Sequence, residues 1–187
     1  MVDVHRQMGA KLPSPWAGAV IGLFTGLISA AASLGLTTGE TQFELLTLLP
    51  GIGFGIAFAA FLLGQRLVGP GGAVAIALAN ALGNFVAMRL AMAIADVLDD
   101  PIGLFEGSLM IGLPAGLVGG GLAALVFGRV IGVGRPWQPV VVGVVLGPLG
   151  PLSLTIDALI PFFGLWQAGF GAALIWTLHA ARTRTTA

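Results

Sequence analysis

Apolar residues run in six long stretches along the chain, and short segments with charged or turn-forming residues separate them. A helix needs about 20 apolar residues to cross a bilayer, and each stretch has about that length. One such stretch could be a buried helix of a soluble protein, but six in succession cannot all be core. The pattern predicts an all-α polytopic membrane protein with a single domain over residues 1–187. The predicted spans lie near 16–36, 45–65, 72–95, 107–128, 137–156 and 158–181.

The composition supports this fold class and removes several functions. Hydrophobic residues make up 57% of the chain and charged residues 9%, whereas soluble proteins carry about 25% charged residues. The formal net charge is zero, which gives no reason to expect nucleic acid as a partner. Cysteine is absent from the sequence, so disulfides, thiolate metal sites and thiol catalysis are excluded. The lipid bilayer is the expected surrounding.

The signs of the charges predict the orientation of the spans. Basic residues other than Arg89 fall in the two tails and in the segments after the second and fourth spans, whereas acidic residues other than Asp3 fall in the remaining segments. Because basic residues mark cytoplasmic loops, both termini are expected in the cytoplasm, with the spans in the inner or plasma membrane. Trp16, Trp137 and Trp176 fall near span ends, as interfacial aromatic residues do.

The even-numbered spans resemble one another. Each begins after an acidic residue, continues through a proline (Pro50, Pro114 or Pro161) into a glycine-rich stretch, and ends before an arginine. One interpretation is three repeated helical hairpins in parallel orientation. The alternative is that any membrane hairpin collects proline at one end and arginine at the other. The sequence leaves both open.

Small residues recur at every fourth position in four spans, beginning with Gly18, Gly22 and Gly26 in the first. This spacing places them on one helix face and allows backbones to approach closely. The first interpretation is a tightly packed bundle within one chain. The second is a groove, foremost on the first span, that receives a helix from another copy or from a larger membrane protein.

Strongly polar residues inside a span are costly, so they are the first candidates for a site. Asn80 and Asn84 lie four residues apart on one face of the third span, and that face is expected to point into the bundle. Two hypotheses follow: hydrogen bonding between helices, or contact with a solute.

Arg89 is the basic residue that departs from the charge pattern. An unpaired arginine within a span is expensive, and the cost falls if the side chain reaches outward or pairs with a carboxylate. The candidate partners are Glu44, Glu106 and Asp157. A structural ion pair is the first hypothesis, and an anchor for an anionic solute is the second.

The fifth span is the most irregular. Pro148 and Pro151, set among glycines, remove two backbone donors near its middle, so carbonyls one turn earlier are expected to lose their partners. Ser153, Thr155 and Asp157 follow and supply oxygen atoms. Broken helices near the membrane midplane bind substrates in transporters. The alternative is a kinked helix that ends in a short re-entrant loop.

Catalysis, a cofactor and a bound metal ion are not expected. Ser108 and His179 would lie near opposite faces of the bilayer and cannot form a dyad. The acidic group of Asp96, Asp99 and Asp100 could bind a divalent cation or only concentrate cations near the surface. The resulting hypothesis is transport or permeation of a small solute. The alternative is a non-catalytic subunit that packs against a larger membrane complex.

Overall fold

The computed structural model describes residues 12–36, 40–98, 104–133, 136–155 and 158–185, and its regular elements there are all α-helices. Five of them, α1 to α4 and α7, are long and apolar enough to cross a membrane. The chain is thus an all-helical protein with the features of a membrane protein, as the sequence predicts. The helices are α1 (Pro15–Leu36), α2 (Glu40–Gly64), α3 (Pro70–Val97), α4 (Leu104–Ile131), α5 (Trp137–Leu146), α6 (Leu149–Thr155) and α7 (Leu159–Thr185).

The helices differ from the predicted spans mainly in the fifth segment. Three of the long helices, α1, α3 and α4, extend past the predicted bounds by one to three residues at one end or both. The start of α2 is earlier than predicted and its end one residue short, whereas α7 begins one residue late and ends four residues beyond its bound. The predicted span 137–156 is instead two short helices, α5 and α6, joined at Gly147 and Pro148. The predicted irregularity is therefore a real interruption of the helix.

The helices follow one another around a ring in sequence order, and α7 closes the ring against α1. The pairing of α1 with α7 is the most extensive in the molecule. Glu44, Asp96 and Glu106 lie at one end of the bundle, here called the acidic end, and Arg66 and Arg129 lie at the other, the basic end.

Glycines bring α1 and α7 into backbone contact. A side chain at Gly18 would overlap the carbonyl of Gly171, and one at Gly22 would overlap the carbonyl of Gln167. Gly26 lies in the same way against Phe163. The small-residue face of the first span is thus covered by the last helix of the same chain.

The glycines of α4 have the same role against α5. Gly112 lies against the backbone of Pro148, and Gly116 lies against the carbonyl of Gly143. In α2, Gly51 is equally close to Asn84 of α3. These contacts hold α4 close to α5 and α2 close to α3, near enough for a short side chain of α3 to reach the backbone of α2.

Four phenylalanine rings fill the bundle between its centre and the basic end. Phe54 and Phe58 of α2 have ring centroids 5.3 Å apart, and Phe58 lies 6.2 Å from Phe127 of α4. Phe170 of α7 approaches Phe54 edge-on at 6.1 Å. This group, called the aromatic plug below, is buried and closes the basic half of the interior.

The three tryptophans predicted to be interfacial, Trp16, Trp137 and Trp176, are all exposed. Two contacts place them at one level near the basic end. The ring Nε2 of His179 lies 2.8 Å from the carbonyl oxygen of Pro13, which precedes α1, and Thr177 donates a 3.2 Å hydrogen bond to Gln138. A belt of exposed tryptophans is typical of a membrane–water interface.

Candidate solute site at the centre of the bundle

The centre of the bundle is organised around Pro50 in α2. A proline inside a helix lacks a backbone donor and distorts the preceding turn. The carbonyl of Thr47 accepts a 2.7 Å hydrogen bond from Asn84 Nδ2 of α3, and the carbonyl of Pro50 accepts one of 2.8 Å from Gln167 Nε2 of α7. The two amides therefore join α2 to α3 and to α7 on either side of the proline, in an interior where lipid offers no competing partner.

Asn80 and Asn84 lie in this cluster, near the middle of α3, and are 7% and 8% exposed. Asn80 Nδ2 donates to the carbonyl of Ile76 in its own helix at 2.8 Å. Since each Nδ2 faces a carbonyl oxygen, the amide orientation is fixed by the hydrogen-bond pattern. Neither Oδ1 receives a hydrogen bond from any residue within the described ranges. Two amide oxygens are therefore left as acceptors at the centre of the bundle.

Gln167 completes the polar cluster, although it is not among the site residues predicted from the sequence. Its side chain is 5% exposed, and its Oε1 accepts a 2.9 Å hydrogen bond from Thr25 of α1 while its Nε2 serves Pro50. The signal was present in the sequence, because an amide inside an apolar span is as costly as an asparagine. Gln167 links α1, α2 and α7, and both polar atoms of its amide make a hydrogen bond.

A small cavity lies against this cluster, and we call it the polar cavity. Its volume is about 40 Å³, and Asn80, Asn84 and Gln167 line it together with Phe54 and Phe170 of the aromatic plug. A cavity of this size holds about one to three water molecules. It is a small polar space within a largely apolar interior.

A larger cavity, the apolar cavity, lies between α3, α4, α6 and α7. Its volume is about 150 Å³, and its walls are almost entirely apolar, with Ala91 and Gly116 among them. It extends toward the acidic end as far as Ala95 and Leu159, the first residue of α7. An apolar cavity of about 150 Å³ accommodates benzene.

The two cavities adjoin at Trp166, which lines both. On α3 the lining moves from Asn84 to Ala87, and on α4 from Gly119 to Gly116, so the cavities are about one helical turn apart. The Trp166 ring is stacked on Phe162 at 5.6 Å. Its Nε1 is buried and has no hydrogen-bond partner among the residues that the structure describes.

The interruption between α5 and α6 forms part of the apolar cavity. Gly147, Gly150 and Pro151 line it, and the backbone of Pro148 is held against Gly112. One expectation from the sequence is corrected here. The carbonyl of Gly147 was expected to need a partner outside its segment, but it accepts a 3.0 Å hydrogen bond from the N–H of Gly150. A tight local turn replaces the missing helical bond.

Ser153 lies apart from the two cavities. Its hydroxyl donates a 2.6 Å hydrogen bond to the carbonyl of Gly150, and its side chain borders a separate groove between α6 and α7. The side chain of Thr155 and all of Asp157, both predicted site residues, lie outside the described residues, as do Asp99 and Asp100.

Arg89 also lies away from the cavities, in the ion pair predicted for it. Of the three candidate carboxylates, Glu44 of α2 is the partner, and a guanidinium nitrogen of Arg89 lies 2.6 Å from its oxygens. The Arg89 Cζ also lies 5.4 Å from the centre of the Phe85 ring, a cation–π contact. Both charged side chains are about half exposed. The described residues that line the polar and apolar cavities include no charged side chain.

Comparisons of this chain with family models, with curated proteins and with solved structures give no match.

Proposed function

We propose that this chain is a multi-pass protein of the inner or plasma membrane that moves a small uncharged solute across the bilayer. In this proposal the segment 137–155 is a sixth, interrupted span, both termini are cytoplasmic, and no bond of the solute is made or broken. The observation that carries it is the pair of adjoining cavities at the centre of the bundle, one of them walled by the broken segment.

The lining of the cavities supports an uncharged solute. A charged solute would need a charged or strongly polar path, whereas the cavity walls are apolar apart from Asn80, Asn84, Gln167 and the indole of Trp166. Arg89, considered as an anchor for an anionic solute, is engaged with Glu44. A solute with an apolar body and one neutral polar group matches both cavities.

The arrangement along the bundle supports movement across it. The apolar cavity extends toward the acidic end, the polar cavity follows, and the aromatic plug fills the interior toward the basic end. A cavity that continues toward one side of the membrane, with a filled interior toward the other side, is what an alternating-access protein has in one of its states. Passage would require the plug and the broken segment to move.

The alternative of an assembly subunit has less support. It depended on small-residue faces free to receive a partner helix. On α1, α2, α4 and α7, glycines of these faces are covered by other helices of the same chain, as in the contacts of Gly18 with Gly171 and of Gly116 with Gly143. Among the described residues, no observation favours a larger partner over lipid.

The proposal is tested by solute entry into proteoliposomes. Vesicles with purified protein are mixed rapidly with glycerol or benzamide, and reswelling is followed by light scattering. Ala91→Phe places a ring in the apolar cavity, whereas Ala93→Phe places it on the exposed side of the same helix. We expect entry of at least one solute above the protein-free rate, abolished by Ala91→Phe and kept by Ala93→Phe. Entry at the protein-free rate for both solutes, or equal effects of the two variants, would refute the proposal.

A further inference from the structure

Three hydrogen-bonding atoms without a partner among the described residues belong to side chains that line the polar cavity. Asn80 and Asn84 each present an Oδ1 that no described residue donates to, and Trp166 presents a buried Nε1–H without an acceptor among the same residues. Buried polar groups in native proteins are almost always paired. The site therefore has two acceptor atoms and one donor atom that make no hydrogen bond, besides a second N–H on each side-chain amide.

This set defines the chemical group that would satisfy it. A hydroxyl has one donor and cannot serve both amide oxygens, and a ketone or ether has no donor at all. A carboxylate has no donor either, and it would bring a charge into an uncharged interior. A primary carboxamide has two N–H donors and a carbonyl acceptor, which is the complement of Asn80 Oδ1, Asn84 Oδ1 and Trp166 Nε1–H.

The volumes set the size of the rest of the ligand. The polar cavity, with room for about one to three water molecules, suits a group of three heavy atoms such as a carboxamide. The adjoining apolar cavity of about 150 Å³ suits a single six-membered ring. Because Trp166 borders both cavities, a ring and an amide joined by one bond would span them.

We infer that the site binds an uncharged aromatic primary carboxamide, with its ring in the apolar cavity and its amide between Asn80, Asn84 and Trp166. This names the solute class for the proposed function and rests on it only for the transport step. In this arrangement the amide N–H groups donate to the two asparagine oxygens, and the amide carbonyl accepts from the indole after the Trp166 ring turns its buried Nε1–H toward the polar cavity.

The test measures binding, without transport, to the full chain in lipid nanodiscs. Three probes of similar size are used: benzamide, acetophenone, which keeps the carbonyl but lacks N–H donors, and toluene, which has neither. Saturation-transfer NMR titrations are corrected with empty nanodiscs, so that partition into lipid cancels. We expect the affinity to fall from benzamide to acetophenone by about tenfold to a hundredfold, because two hydrogen bonds are lost, and from acetophenone to toluene by about threefold to tenfold, because one is lost.

Two variants test which protein groups form hydrogen bonds with the ligand. Trp166→Phe keeps an aromatic ring against Phe162 but removes the donor, so benzamide and acetophenone should each lose about threefold to tenfold and toluene less than about twofold. Asn80→Ala should weaken benzamide alone, because the structural bond of Asn80 stays within its own helix. Equal affinities for the three probes, or equal losses for all three in Trp166→Phe, would overturn the inference.

The two proposals fail separately. Benzamide binding with the expected variant pattern but no solute entry would leave the carboxamide site standing and remove the transport function. Entry of glycerol and benzamide that depends on the protein, combined with equal binding of benzamide and toluene, would do the reverse.

Discussion

Asn84 of α3 donates a 2.7 Å hydrogen bond to the backbone carbonyl of Thr47 in α2, whereas Asn80, one turn away, donates within its own helix to Ile76. Both amides have the same size, a similar burial and the same cavity beside them. They differ in one respect: the hydrogen bond of Asn84 joins two helices, whereas that of Asn80 lies within one helix. A comparison of variants at the two residues therefore separates the contribution of an interhelical hydrogen bond to stability from the contribution of burial.

We expect Asn84→Ala to destabilise the detergent-solubilised protein by about 0.5–2 kcal/mol, the range for hydrogen bonds between membrane helices. Asn80→Ala should cost less, because the backbone bonding of α3 does not depend on it. Unfolding in mixed micelles, followed by circular dichroism, measures both. Equal losses would mean that Asn84 contributes through packing alone.

The close approach of α2 to α3 predicts opposite effects at two neighbouring glycines. A Cβ at Gly51 would lie 2.5 Å from Asn84 Cβ, whereas a Cβ at Gly53 would meet nothing nearer than Ser29 at 3.6 Å. Gly51→Ala should cost about 1–3 kcal/mol through overpacking. Gly53→Ala should leave stability unchanged or raise it by up to about 1 kcal/mol, since alanine is the better helix former.

The same unfolding assay compares the two alanine variants directly. A loss at Gly53 as large as that at Gly51 would contradict the packing of α2 on α3, because the added methyl group has room at Gly53 and none at Gly51.

Much of the fold follows from the sequence because the formation of each helix depends mainly on residues close together in the chain. The lengths of the apolar stretches predicted the bounds of the long helices to within a few residues. The two prolines in the fifth segment predicted where that segment is interrupted. Because an unpaired arginine inside a span is unfavourable, the sequence predicted an ion pair for Arg89, and Glu44 was one of three candidate partners. The choice among them depends on which helix end lies beside α3, which the sequence of one chain does not determine.

The site was predicted less well, for a physical reason. Asn80 and Asn84 are visible as polar residues in a span, but their neighbours Gln167 and Trp166 are more than 80 residues away in the chain. Only the closure of the ring between α7 and α1 brings them to the same depth. Pro151 lies in the cavity wall and Ser153 does not, although the two residues are in one short helix. Which residue of a short helix faces a cavity depends on how the helix is rotated about its axis. A short helix has too few residues for its pattern of apolar positions to show that rotation.

A double-mutant cycle tests the ion pair of Arg89 with Glu44. Both side chains are about half exposed, so the coupling energy should be modest, about 0.5–1 kcal/mol. Arg89→Ala and Glu44→Ala, alone and together, are compared by their unfolding midpoints. Arg89→Ala with Glu106→Ala is the matched control and should be additive within about 0.5 kcal/mol. Additivity in the Glu44 cycle as well would remove the pair as a source of stability.

The proposed topology is tested with reporter fusions. Reporters placed after Arg66, Arg135 and Arg184 should report the cytoplasm, and those near Glu40 and Asp99 the opposite side, because basic segments stay in the cytoplasm. The fusion after Arg184 bears on the interrupted segment in particular. If 137–155 does not cross the membrane, that fusion will change sides while the one after Arg66 does not.

The break between α5 and α6 is tested by replacing its two prolines. Pro148 and Pro151 prevent a continuous helix, and the turn they impose places Gly147, Gly150 and Pro151 in the wall of the apolar cavity. Replacing both prolines by alanine should join α5 and α6 into one straighter helix and move that wall. Stability should hold or rise, because helix propensity improves by up to about 3 kcal/mol per replaced proline. Solute entry and benzamide binding should nevertheless fall.

Pro161→Ala is the matched control for this double variant. Pro161 lies in the first turn of α7, where a proline costs the helix no backbone hydrogen bond, so both stability and solute entry should be kept. The double variant is measured by unfolding and by vesicle reswelling in the same preparation. A double variant that loses stability and keeps its entry rate would show that the break serves the architecture of the bundle. A more stable protein with a lower entry rate would instead mean that the break is maintained, against helix propensity, for the cavity it borders.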